Sequence, residues 1–227
     1  MAFLDVHCFS DALGLSVSFY VLLPQKATGQ IGMAGGEKRD KYQTLYLLHG
    51  LSDDHTTWMR RTAIERYAAE RHLAVIMPAV GRSFYQDTAS GAKYWTFLSE
   101  ELPALCRNWF PLSTAREDTF AAGLSMGGYG ALRLGLAGPE KFAAVASLSG
   151  ALDLRQRRRE LDGSELPMDR AEWAGIFGAE APVGSTDRAP AAARPTPPPS
   201  PPAPTDRPLR CRPAPRRRRC QIGRAHV

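Results

Sequence analysis

Residues 119–134, "TFAAGLSMGGYGALRL", constrain the fold of this chain more than any other stretch of the sequence. An apolar run typical of a buried strand leads into Gly123-Leu124-Ser125-Met126-Gly127, and a helix-forming segment rich in small residues follows. The Gly-x-Ser-x-Gly spacing is typical of a tight strand–turn–helix that holds a nucleophilic serine, with the glycines leaving room for the turn. A strand that passes directly into a closely packed helix predicts an α/β architecture.

The rest of the first 150 residues repeats this alternation of strands and helices. Short apolar runs that alternate with helices build parallel sheets covered on both faces, so we predict a mostly parallel central sheet with helices on both sides. The 29–41 segment, rich in Gly and Lys, is predicted to be a loop. The pattern predicts strands over 3–10, 15–24, 44–50, 73–78, 118–125 and 142–150, and helices over 57–71, 94–110 (with Pro103 as a kink or break) and 126–137.

A second motif, "LLHGLSDD" at 47–54, follows the third predicted strand. Ligands bind at the carboxyl ends of parallel strands, so His49, Gly50 and Leu51 are expected to share a pocket with Ser125. The backbone N–H groups of Leu51 and Met126 are expected to form an oxyanion hole. His49 precedes Ser125, whereas such triads run serine, acid, histidine along the chain, and His49 is therefore expected to shape the loop rather than act as the base.

Several segments together resemble one known family. The sequence is similar to the bacterial esterase-D-like, tributyrin-esterase family of α/β-hydrolases, with S-formylglutathione hydrolases and mycolyltransferases as more distant relatives. The resemblance covers about residues 1–186. The segments that carry it are "YLLHGLSDDHTTW", "VIMPAVGRSFYQD", "YWTFLSEELP", "REDTFAAGLSMGGYGALRL" and "EKFAAVASLSGALD".

The resemblance implies an α/β-hydrolase fold and a serine carboxylesterase that hydrolyses short-chain acyl esters, of acetyl or butyryl type, through a Ser-His-Asp mechanism. It implies a small-molecule ester substrate, no cofactor and no metal. By match to the family motifs, Ser125 is the nucleophile, and Leu51 and Met126 supply the oxyanion N–H groups. A thioesterase like the S-formylglutathione hydrolases is the alternative activity.

The composition changes sharply after residue 186. Residues 188–227 hold ten arginines against the single acid Asp206, and eleven of the chain's eighteen prolines, whereas residues 1–187 carry 19 basic and 22 acidic side chains. We therefore predict an α/β-hydrolase domain over 1–186 and a disordered Pro/Arg-rich tail over 187–227. Such a composition is what a shifted reading frame of a GC-rich gene encodes, and the terminal "IGRAHV" matches a translated sequencing adapter. A basic tail that binds nucleic acid is the alternative interpretation.

The tail stands where the family has its last strands, its acid and its histidine. The only histidine after Ser125 is His226, and the later acids Asp153, Asp162, Asp169 and Asp187 have no motif support. The sequence thus predicts a fold that lacks its last strands and an impaired esterase. A non-catalytic hydrolase scaffold with a basic binding tail is the second alternative.

The remaining candidates favour structural roles. Residues 53–55, Asp-Asp-His, are predicted to form a solvated loop lining the pocket, because three adjacent residues converge poorly on one metal ion. Trp95, Phe97 and Leu98 are expected in the core, with an acyl pocket as the alternative. The sequence shows neither an apolar run of membrane-spanning length nor a leader-like start, and its cysteines lack metal or disulfide spacing, which predicts a cytoplasmic protein with no membrane or nucleic-acid partner. It leaves the oligomeric state undefined.

Overall fold

A computed structural model describes residues 1–25, 40–161 and 168–178 of the chain, all within the unit Met1–Ala192. The tail predicted over 187–227, with the frameshift and adapter hypotheses attached to it, lies outside these residues, and so does the place of the fold's last strands. Most of the loop predicted over 29–41 also lies outside them.

One six-stranded sheet organises the described residues, in the order β1-β2-β4-β3-β5-β6. The pairs β4–β3, β3–β5 and β5–β6 are parallel, and β1–β2 and β2–β4 are antiparallel, so the prediction of a mostly parallel sheet is confirmed. The hairpin is antiparallel because only a four-residue turn joins β1 to β2, too short for a crossover. The strands are β1 Ala2–Ser10, β2 Leu15–Leu23, β3 Gln43–Leu48, β4 Leu73–Pro78, β5 Thr119–Leu124 and β6 Ala144–Leu148.

Helices cover both faces of this sheet, as predicted. Alternate residues of a strand point to opposite faces, and in β3 Tyr46 and Leu48 belong to one core cluster while Leu47 belongs to another. The larger cluster includes side chains of α4, α5, α6 and α7, and the smaller one packs under α1 and α2. The helices are α1 Thr57–Arg61, α2 Ile64–Arg71, α3 Tyr94–Thr96, α4 Leu102–Trp109, α5 Met126–Ala137, α6 Leu154–Glu160 and α7 Arg170–Phe177.

The single helix predicted over 57–71 is wrong, because the helix breaks at Thr62. This residue is extended, with φ −139° and ψ 172°. Its hydroxyl donates to the Trp58 carbonyl and accepts from the Ile64 N–H at 3.2 Å. A threonine that satisfies backbone groups with its side chain offers the chain an alternative to a continuous helix, and here it separates α1 from α2.

The predicted helix over 94–110 forms, with an irregular turn in place of a sharp break. Between α3 and α4, residues Phe97–Glu101 adopt a π-helical turn, in which the Leu102 N–H bonds to the Phe97 carbonyl. Pro103 is the second residue of α4, directly after this turn, and the helix continues through it to Trp109. Phe97 and Leu98 are fully buried in the core, which confirms the structural interpretation of these two residues.

Candidate active site

Ser125 lies on the turn between β5, which ends at Leu124, and α5, which begins at Met126. Its backbone has φ 54° and ψ −113°, a conformation that costs a non-glycine residue about 1–3 kcal/mol. Three hydrogen bonds hold it: Ser125 N–H donates to the Leu148 carbonyl at 2.9 Å, and the Ser125 carbonyl accepts from Tyr129 and Ala151, each at 3.1 Å. The strained turn predicted from the Gly-x-Ser-x-Gly spacing is present.

Both glycines of the motif are required by close backbone approaches. A Cβ at Gly123 would lie 2.3 Å from the Gly127 carbonyl oxygen. A Cβ at Gly127 would lie 2.3 Å from the Leu48 carbonyl oxygen and 2.7 Å from that of His49. The start of α5 therefore lies directly against the end of β3, and this contact brings the "HG" loop to the serine.

The backbone N–H groups of Leu51 and Met126 belong to the two chain segments that meet at Ser125. Met126 is the first residue of α5, so its N–H has no intrahelical acceptor and lies at the positive end of the helix dipole. Leu51 lines the same pocket as Ser125 and follows Gly50, whose added Cβ would lie 3.9 Å from the Ser125 Cβ. This placement suits both groups to donate to an oxygen held above the serine.

His49 is buried beneath this loop, and both of its ring nitrogens are engaged. Nδ1 lies 2.8 Å from the Gly50 carbonyl oxygen, and Nε2 accepts from the Val80 N–H at 3.1 Å. These partners select the neutral tautomer that carries its proton on Nδ1. Burial lowers the pKa of His49, and nearby Asp53 and Asp54 oppose this shift. His49 thus joins the loop after β3 to the residues that follow β4, as the loop-shaping role predicted for it requires.

A pocket of about 290 Å³ opens beside Ser125. The structure brings Gly50, Leu51 and Ser125 together there, as the sequence predicted, while His49 lies outside the lining. Asp53 also lines the pocket, which agrees with the prediction for that loop. The full lining is Gly50, Leu51, Ser52, Asp53, Phe84, Leu124, Ser125, Ala151, Arg157, Leu161, Met168 and Trp173.

Part of the pocket lining comes from α6, α7 and the residues next to these helices, and sequence reasoning missed it. Arg157, Met168 and Trp173 lie more than 30 residues beyond the serine, in no motif, and only the basic character of "LRQRRRE" signals α6. The Arg82 guanidinium ties α7 to the loop after β4, because its Nη2 donates to Glu172 Oε2 at 2.8 Å. In that loop, Phe84 reaches the pocket with a left-handed φ of 51°.

No histidine among the described residues lines this pocket. His7 lies on β1 beside Ser18, and His72 ends α2 in the left-handed conformation. Asp153 and Asp169 cap α6 and α7, accepting from backbone N–H groups of the first turns. The other three candidates, Asp162, Asp187 and His226, lie outside the described ranges.

Residues 53–55 point apart rather than toward one ion. Asp53 lines the pocket, Asp54 accepts from Thr56 Oγ1 at 2.6 Å, and the His55 ring packs edge-on against Tyr20. The Thr56 hydroxyl, followed by its N–H, lowers the pKa of Asp54. Within the described ranges, no three His, Cys, Asp or Glu side chains are arranged to hold a metal ion. No helix of that part of the chain is long and apolar enough to cross a membrane.

The sheet order and a serine on a strained strand–helix turn define the class of protein, an α/β-hydrolase fold with a serine-hydrolase site. Comparison with known proteins agrees. The model of the Esterase family, described as "Putative esterase", matches residues 10–198. The chain belongs to this family.

Three relatives illustrate the similarity. The chain is 34% identical to an acetyl esterase of Caldicellulosiruptor saccharolyticus over 61% of its own length and 56% of that protein. It is 29% identical to an S-formylglutathione hydrolase of Paracoccus denitrificans over 62% of its length and 54% of that protein. It thus spans little more than half of these curated relatives. Substrate-bound fluorophosphonate-binding serine hydrolase F of Staphylococcus aureus has 34% identity and a TM-score of 0.70, over 83% of this chain and 70% of that one.

Proposed function

We propose that this domain is a serine carboxylesterase that hydrolyses short-chain acyl esters of acetyl or butyryl type. The observation that carries the proposal is Ser125 on its strained turn, with Leu51 lining the same pocket and Met126 beginning the helix that follows the serine. The relative named acetyl esterase supports the choice of acyl group.

The reaction follows from this arrangement. Ser125 Oγ attacks the ester carbonyl carbon, and the carbonyl oxygen takes the negative charge toward the N–H groups of Leu51 and Met126. Collapse of the tetrahedral intermediate releases the alcohol and leaves an acyl-Ser125, which water then hydrolyses. A pocket of about 290 Å³ suits a short acyl chain.

The proton of Ser125 needs a base, and the described residues bring no histidine to the pocket. We propose that a histidine oriented by an acid serves as base in the family's complete mechanism, and that this chain turns over esters slowly. Hydrolases that have lost a triad member retain roughly 10³–10⁴-fold acceleration over water from the oxyanion hole and binding alone.

Hydrolysis of nitrophenyl acetate and butyrate by the full chain tests the proposal, with Ser125→Ala as the critical variant. Ser16→Ala, on the exposed side of β2 and outside the pocket, is the matched control for the same chemical change. We expect the residual rate to disappear in Ser125→Ala and to persist in Ser16→Ala. Equal rates in all three proteins would exclude Ser125 as nucleophile and favour a non-catalytic scaffold. A kcat of about 10 s⁻¹, typical of enzymes, would show that the chain supplies its own base.

A thioesterase is the second candidate, favoured by the similarity to the S-formylglutathione hydrolase of Paracoccus denitrificans. The same nucleophile and oxyanion groups would act on a thioester carbonyl. Comparing kcat/KM for an acetyl oxyester and an acetyl thioester with leaving groups of similar size separates the two activities.

A further inference from the structure

The pocket that holds Ser125 contains a cationic side chain, Arg157 of α6. Arg157 is half-buried, and it forms no ion pair with any of the side chains that the structure describes. Taking a guanidinium out of water without an anionic partner costs free energy, so a half-buried arginine is suited to a partner that arrives with the ligand.

The other charged residue in the pocket lining is Asp53, which lies beside Gly50 in the loop after β3. Its carboxylate is 14% exposed and lies 3.9 Å from the Arg61 guanidinium, so it has a cationic neighbour of its own. The remaining lining is mainly apolar, with Phe84, Leu161 and Trp173 among its members. Arg157 is therefore the charge in this lining that a ligand can compensate.

The helix that carries Arg157 is itself basic. Its sequence "LRQRRRE" contains four arginines and one glutamate. A cluster of one charge sign beside a cleft raises the local concentration of ligands of the opposite sign. The helix thus adds long-range attraction to the short-range contact that Arg157 offers.

We propose that Arg157 is a specificity-determining residue and that the ester bound beside Ser125 carries a carboxylate. This inference rests on the proposed function, because it names the substrate class of the same site. The carboxylate would accept hydrogen bonds from the Arg157 guanidinium while the ester carbonyl lies at Ser125. It belongs either to the acyl group or to the leaving group, and the two positions are distinguished by experiment.

Ligand binding to the full chain carrying Ser125→Ala tests this inference without requiring turnover. The readout is tryptophan fluorescence, since Trp173 lines the pocket. Monomethyl succinate and dimethyl succinate form the pair for an acyl-side carboxylate. The β-acetoxypropanoate anion and its methyl ester form the pair for a leaving-group carboxylate. Each pair compares a monoanion with its neutral ester.

We expect the monoanion of one pair to bind about 10-fold more tightly than its neutral ester, the lower end for a charge-assisted hydrogen bond because the site is partly exposed. Arg157→Gln should abolish this ratio, and Arg157→Lys should keep part of it. Arg158→Gln makes the same change in charge on α6 outside the pocket lining, and it should retain the ratio.

Several results would overturn the inference: equal binding of anion and neutral ester, an unchanged ratio in Arg157→Gln, the same loss in Arg158→Gln, or no binding of any of the four ligands. Failure of the proposed function has a different signature. If Ser125→Ala leaves nitrophenyl ester hydrolysis unchanged, the esterase assignment fails whatever the binding ratio is. If hydrolysis depends on Ser125 but the binding ratio is one, only the carboxylate preference fails.

Discussion

Replacement of Gly127 by alanine should damage both stability and the site, because of where its side chain would go. Gly127 is the second residue of α5 and faces the backbone at the end of β3. An added Cβ would lie 2.3 Å from the Leu48 carbonyl oxygen and 2.7 Å from that of His49. Neither atom belongs to a side chain that could rotate away.

The cost follows from how far the backbone must move. Carbon and oxygen atoms in favourable contact lie about 3.3–3.6 Å apart, so α5 and the end of β3 must separate by roughly 1 Å. Overpacking of this kind costs typically about 1–3 kcal/mol, and the rigid neighbours place Gly127→Ala near 3 kcal/mol. Alanine regains about 1 kcal/mol of helix propensity over glycine. The expected net loss in the free energy of unfolding is about 2 kcal/mol, a large fraction of the 5–15 kcal/mol of a typical domain.

Urea denaturation of the full chain followed by circular dichroism measures this loss. Gly175→Ala, in α7, is the matched control, because its added Cβ meets nothing within 4 Å. There the gain in helix propensity should raise stability by up to about 1 kcal/mol. The same separation moves Met126 away from the loop carrying Leu51, so Ser125-dependent hydrolysis should fall in Gly127→Ala and persist in Gly175→Ala.

A Gly127→Ala protein with a denaturation midpoint and hydrolysis rate equal to the unmodified chain would refute the argument. Equal losses in the two alanine variants would also refute it, because they would show that the effect comes from helix glycines in general. Only the difference between the two positions reports on the approach of α5 to β3.

Three further predictions use other parts of the site. Ser125→Gly should be about 1 kcal/mol more stable than Ser125→Ala in urea denaturation, because glycine relieves the strain at φ 54°; equal stabilities would show that the turn is not strained. Burial lowers the pKa of His49 below its value in the unfolded chain, so the contribution of His49 to the free energy of unfolding should be full above about pH 6.5 and should decline on acidification by at most about 1.4 kcal/mol per pH unit. Unfolding free energies measured at a series of pH values should therefore depend less steeply on pH in His49→Gln. An unchanged pH dependence in this variant would assign the effect to another group. Burial raises the pKa of the Cys106 thiol, so peptide mass spectrometry should find Cys106 alkylated by iodoacetamide only after unfolding; rapid labelling of the native chain would contradict its buried position.

The elements with strong local signals were predicted well from the sequence. The helix expected over 126–137 and the strand expected over 73–78 have those same bounds in the structure. The break at Thr62 and the π turn at Phe97–Glu101 were not predicted, because each depends on a hydrogen bond that competes with the regular helical pattern. Such bonds leave little trace in hydrophobic periodicity.

The serine turn and the loop that carries Leu51 were also accessible from sequence, since both lie in short motifs next to strand ends. His49 could be excluded as the base from the sequence, because it precedes Ser125 in the chain. The structure adds a physical reason, since both ring nitrogens of His49 already form hydrogen bonds. Arg157 and Trp173 could not be found in this way. They belong to no motif and reach the pocket only because α6 and α7 pack over the serine.

The sequence by itself determined the alternation of strands and helices, the serine turn and the family, because each is encoded in the spacing of neighbouring residues. Only the tertiary structure decided which distant side chains share the pocket, how closely α5 approaches β3, and which charges face one another. These depend on packing between segments far apart in the chain, as the carbonyl of Leu48 against Gly127 and the shared pocket of Arg157 and Ser125 both show.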